Sequence, residues 1–111
     1  MKTDQFSNFQ ERQHDLSPFV THGFGCGEKK LNMLKPLKLM PELDESQQYL
    51  CLRDDRLGID VFAMDRKKLH DELLEQLSVL WKEYALEPDD ALSSDALALK
   101  NHLNSAIFNK G

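Results

Sequence analysis

Residues 48–85, QYLCLRDDRLGIDVFAMDRKKLHDELLEQLSVLWKEYA, hold two short apolar runs, a turn and one long periodic segment. Gln48–Arg53 and Ile59–Met64 are rich in aromatic and β-branched residues. The stretch between them, Asp54-Asp55-Arg56-Leu57-Gly58, has the polar composition of a hairpin loop. Gly58 can take the positive φ that such loops need before the second strand begins. Asp65 then stands where a helix N-cap is wanted. After it Leu69, Leu73, Leu77, Leu80, Trp81 and Tyr84 recur at the spacing of one helical face, with charged residues on the other side. Pro88 disfavours the helical conformation at Glu87, which places the helix end near Ala85.

Working outward, Ser93 or Ser94 caps a second helix whose apolar stripe is Leu92, Ala96, Leu99, Leu103, Ala106 and Ile107. Upstream, Leu37–Met40 reads as a further strand that ends at Pro41, a residue confined to edges, bulges and strand ends. A sheet this small cannot cover its own faces, so the long helix is expected to cover one. The expected fold is α+β: a small antiparallel sheet of two to three strands packed against two C-terminal helices. Residues 1–36 show no sustained period and contain Gly23-Phe24-Gly25-Cys26-Gly27. They read as an irregular N-terminal extension, with the domain proper at 37–111.

Charge follows the same division. The 111 residues hold 14 Lys and Arg against 19 Asp and Glu, net −5. Residues 1–36 carry five basic and four acidic groups, net +1, and the rest carry nine and fifteen, net −6. An acidic body lacks the basic footprint of a general nucleic-acid binder and suits a basic protein partner. The extension nevertheless holds four of the six phenylalanines, Phe6, Phe9, Phe19 and Phe24, which is too aromatic for a solvated linker.

No reaction motif stands out. A zinc site needs its ligands in close pairs, and His22-x-x-x-Cys26 has no second pair to join, so no metal or other cofactor is expected. Gly23-x-Gly25-x-Gly27 departs from the dinucleotide fingerprint in spacing and in context. Cys26 between two glycines, with His22, His70 or His102 as base, is the one nucleophile arrangement open to a small enzyme or ligand-binding protein. Against it stands an idle thiol in a turn, and both cysteines, Cys26 and Cys51, are expected to be reduced. Asp54, Asp55 and Asp60 read as solvated turn acids, and Arg66-Lys67-Lys68 as a solvated basic face that could touch phosphate or an acidic partner. The N-terminus lacks the apolar core of a secretory signal, and no window reaches the roughly 18 apolar residues of a membrane span, so a cytoplasmic location is expected.

Tyr49–Arg53, the turn to Ile59, the strand ending Phe62-Ala63-Met64 and the helix opening Asp65–Leu69 resemble the sensor domain of HicB-type antitoxins over residues 48–85. The resemblance implies a partial RNase-H-like fold without catalytic activity that covers a small toxin and often oligomerises. The Pro-Gly turn of that pattern is absent, the aromatic N-terminal segment is foreign to it, and there is no room for the family's C-terminal DNA-binding module. The resemblance therefore carries masking and not DNA binding. The sequence expectation is a non-catalytic protein–protein interaction module, antitoxin-like, that masks a basic partner through its acidic body and an exposed strand edge, and that forms a homodimer. Phe6, Phe9, Phe19, Tyr49, Arg53 and Phe62 are the residues expected to meet a partner. A self-assembling accessory protein of a phage or mobile element is the alternative, beside the Cys26 enzyme.

Overall fold

The structure is a computed structural model, and it describes residues 15–108. The chain forms β1 (Phe19–Cys26), β2 (Lys29–Leu39), β3 (Glu42–Leu43), β4 (Leu50–Asp54), β5 (Ile59–Ala63), α1 (Arg66–Leu80), α2 (Ser94–Ala106) and β6 (Ile107–Phe108). It is an α+β fold with two antiparallel sheets of three strands each, ordered β1-β2-β6 and β3-β4-β5.

The β4–β5 hairpin and both helices lie where the sequence places them. Leu50 pairs with Ala63 and Asp54 with Ile59, and the pairing turns Leu50, Leu52, Ile59, Val61 and Ala63 inward. They meet the buried stripe of α1, Leu69, Leu73, Leu77 and Leu80, in a single core that also takes in Trp81 and Leu103. Asp65 caps α1 by accepting from the Lys68 amide at 2.8 Å, and Ser93 caps α2 by accepting from the Ala96 amide at 3.2 Å. Beyond Leu80 the helix widens into a π turn, Trp81–Ala85, in which the Leu86 amide donates to the Trp81 carbonyl. The wider turn keeps Trp81 and Ala85 both buried. The descent to α2 is tied by Lys100, whose ammonium donates to the Glu87 carbonyl and to Asp89 Oδ1.

The reading of residues 1–36 as an irregular extension is corrected for the part that the structure describes. Residues 19–36 are β1 and most of β2, so a boundary at residue 36 cuts through a strand of the core. Phe19, Thr21, Phe24, Cys26 and Leu31 are buried. The strand is hidden in the sequence because its alternation changes phase. Phe19 and Thr21 face inward at odd positions, Phe24 and Cys26 at even ones, and the register shifts between Thr21 and Gly23. A bulge of this kind breaks the period of two by which a strand is recognised. Gly23 is fixed by the same bulge, because a Cβ there would collide with the Leu31 carbonyl oxygen. Gly27, at φ +65°, opens the two-residue turn Gly27-Glu28 that joins β1 to β2, as the first position of a II′ hairpin requires.

The basic run at the start of α1 also has an internal role. Arg66 donates from Nη1 to the carbonyls of Asp15 (3.0 Å) and Ser17 (2.9 Å), and from Nη2 to that of Pro18 (3.0 Å). Its guanidinium lies 4.0 Å from the centre of the Phe19 ring. One planar cation thus fixes the lead-in to β1 against the start of α1, a role that a fork of donors suits.

Candidate functional site

The inner face of the β3-β4-β5 sheet is closed by α1, and the outer face has no cover among the described residues. Pairing fixes what lies on it. Cys51 stands between Glu42 and Phe62, and Arg53 stands opposite Asp60. Tyr49 meets the Phe62 ring edge to face, 5.6 Å between centroids and 88° between planes. Phe62 is 63% exposed, and Met40 and Met64 are exposed with it. Met40, Glu42, Cys51, Arg53 and Asp55 line a shallow groove on this side.

Each of these side chains is positioned by local chemistry. Asp44 pins the loop ahead of β4: its Oδ1 accepts from the amides of Gln48 (3.1 Å) and Tyr49 (3.0 Å), and its Oδ2 accepts from the Ser46 hydroxyl (2.7 Å). The Ser46 hydroxyl and these amides hold the Asp44 carboxyl below the usual carboxylate range. Gln47 at the loop tip adopts φ 62°, the left-handed region. Asp54 plays the matching part in the β4–β5 turn, accepting from the amides of Arg56 (3.0 Å) and Leu57 (3.2 Å), while Leu57 itself is buried. Both ends of β4 are therefore tied, and Tyr49 and Arg53 are aimed to one side.

The face is apolar at its centre and mostly acidic around it. Glu42, Asp55 and Asp60 surround one arginine, and Arg53 Nε lies 3.7 Å from Asp60 Oδ1 with both side chains about two thirds exposed. So exposed a pair adds little stability but sets the pattern of charge. Burial pushes the Cys51 thiol up, with the nearby Asp44 carboxylate adding to the effect, so this sulfur ionises less readily than a free thiol. The outer edge of β5 is open at one point. The Asp60 amide turns away from β4 and donates to Gln76 Oε1 at 2.8 Å, so by the period of two the main-chain groups of Phe62 also point outward.

Of the residues expected to meet a partner, Tyr49, Arg53 and Phe62 share this face. Phe6 and Phe9 lie outside the described residues. Phe19 is only 5% exposed, held beneath Arg66 and beside His70, so it is a core residue and not a docking one. Cys26 is likewise corrected from a loop to the end of β1, where its buried thiol donates to the Ser78 carbonyl at 3.7 Å. Among the described residues no group of His, Cys, Asp and Glu is arranged to hold a metal ion. No helix among them is long and apolar enough to cross a membrane. Met40, Glu42, Cys51 and Met64 are members of the face that the sequence reading passed over. Their signal is the two-residue step: Cys51 lies between Tyr49 and Arg53, and Met64 follows Phe62.

Comparison with family models, curated proteins and solved structures finds no match for the chain. The functional reading therefore stands on this geometry.

Proposed function

We propose that the chain is a cytoplasmic, non-catalytic protein–protein interaction module that covers a basic partner with the outer face of β3-β4-β5, as an antitoxin masks its toxin. The observation that carries the reading is Phe62, a large aromatic side chain 63% exposed on the outer face of β5, with Tyr49 packed against its ring and Met40 and Met64 also exposed. Aromatic and methionine side chains concentrated on one surface are the usual centre of a protein interface. The acidic surroundings favour a basic partner: residues 40–65 carry seven carboxylates against Arg53 and Arg56, net −5. The outward main-chain groups at Phe62 offer an added strand a place to pair, in a heterocomplex or a homodimer.

The test is a comparison of two baits in an extract of the native host, the wild-type chain and Phe62→Ser, with captured proteins identified by mass spectrometry. A small basic protein held by the wild type and lost from the variant is the expected result. Identical captures from both baits would remove the face from the interaction.

A further inference from the structure

The two sheets carry opposite charge. Residues 19–39, the β1–β2 hairpin, hold Lys29, Lys30, Lys35 and Lys38 against Glu28 alone, net +3, beside the −5 of residues 40–65. Opposite patches on one small body draw unlike patches of two copies together.

The basic hairpin also carries a projecting apolar point. Thr21 pairs with Leu37 and Gly23 with Asn32, so Met33–Pro36 of β2 stand opposite His22 alone. Met33 is retained by its pairing with Ile107 of β6 and is half-buried. The surplus is thrown outward as Leu34-Lys35-Pro36, all three exposed and Leu34 at 59%. Pro36 restricts the backbone, which reduces the entropy that the bulge loses on docking. An exposed leucine followed by Lys35 and Lys38 matches an apolar floor rimmed with carboxylates, which is the chemistry of the β3-β4-β5 face.

We infer that the Leu34–Pro36 bulge of one copy seats on the β3-β4-β5 face of a second copy. Leu34 then lies against Met40 and Phe62, and Lys35 and Lys38 face Glu42 and Asp55. This rests on the reading of that face as a docking surface and gives it the basic hairpin of a second copy as occupant when no other basic partner is present. The surfaces in contact are unlike, so two copies close as a dimer by exchanging two such contacts about a twofold axis, or continue head to tail where the rotation does not close.

Sedimentation of the full chain at high micromolar concentration tests it. The wild type should run at twice 12.8 kDa or more, and rising salt should weaken the association. Leu34→Asp and Phe62→Ser should each weaken it roughly tenfold or more. A mixture of the two variants should associate more strongly than either alone, because Leu34→Asp keeps an intact face and Phe62→Ser an intact bulge. Circular dichroism and Trp81 fluorescence check that each variant is folded, with Leu34→Ser and Phe62→Thr as milder replacements. A wild type that stays at 12.8 kDa, an assembly that survives either variant, or a mixture no stronger than its parts would overturn the inference. A monomeric wild type would leave the docking face itself to be decided by the two-bait capture, so the two failures are distinct.

Discussion

Thr21 offers a sharp test of the corrected hairpin. Its side chain points into the core from β1, the residue is 4% exposed, and its hydroxyl has no hydrogen-bond partner among the described residues. An orphaned buried polar group costs about 1–3 kcal/mol relative to one that stays solvated. Valine has nearly the same shape, is an equally good strand former and replaces the hydroxyl by a methyl group that belongs in the core. Thr21→Val should therefore stabilise the fold by about 1 kcal/mol, a rise in Tm of roughly 4–8 °C for a domain near this size. The single tryptophan, Trp81, is buried in the same core and reports unfolding in urea or on heating. Thr21→Ser is the control: it keeps the orphan hydroxyl and removes the methyl, so it should lower stability by about 1 kcal/mol. If Thr21→Val were neutral or destabilising, the hydroxyl would be satisfied in the folded protein and its reading as an orphaned buried group would be refuted.

Arg66→Lys keeps the charge but cannot reproduce a fork that donates to three carbonyls while lying over Phe19. It should cost about 1–2 kcal/mol in urea denaturation and speed amide exchange in residues 19–21; a change within error would show that the clamp is idle. Gly23→Ala forces a methyl group onto the Leu31 carbonyl and should destabilise by about 2 kcal/mol or more, whereas Gly25→Ala, with open space around its Cβ, should cost far less. Asp44 has its carboxyl held down by hydrogen bonds from Ser46, Tyr49 and Gln48, so its contribution to stability is full above the unfolded aspartate value of ~3.9 and is lost as the pH falls through the lower folded value. Asp44→Asn can keep the one acceptor that serves the Gln48 and Tyr49 amides, without the titration, and stability measured from pH 6 down to pH 2 should lose less in the variant than in the wild type. The raised Cys51 thiol should react with iodoacetamide at pH 8 more slowly than an unstructured cysteine, and equal rates would contradict the placement of its sulfur.

Much of the face that carries Phe62 is legible in the sequence, and much of the β1-β2-β6 sheet is not, for one physical reason. The run from Gln48 to Leu80 keeps an unbroken period, two in the strands and about 3.6 in the helix, and each turn or cap along it is made by the residue at that point: Asp54 and Gly58 in the hairpin, Asp65 at the helix start. Local chemistry of that kind needs no knowledge of the rest of the chain. β1 and β2 lack it. The bulge at Gly23 reverses the facing of every later residue in β1, and the exposed excursion Leu34–Pro36 interrupts the alternation of β2 without changing its phase. Their glycines and proline look like loop chemistry until a neighbouring strand is present.

Residue role divides along the same line. Cys26 and Phe19 carry the composition of a loop nucleophile and an interface aromatic, and only packing against α1 makes them core. Arg66 reads as one of three surface cations until the Asp15–Pro18 carbonyls come within reach of its guanidinium. The sequence by itself determines an α+β chain, its two helices, one hairpin and the acidity of its second half, because periodicity, capping and charge are properties of residues close together along the chain. The tertiary structure alone decides that a second sheet exists and that the face of the first-read hairpin carrying Phe62 is left open. Strand pairing and burial depend on residues far apart in sequence, and no local pattern encodes which of two faces the helix will cover.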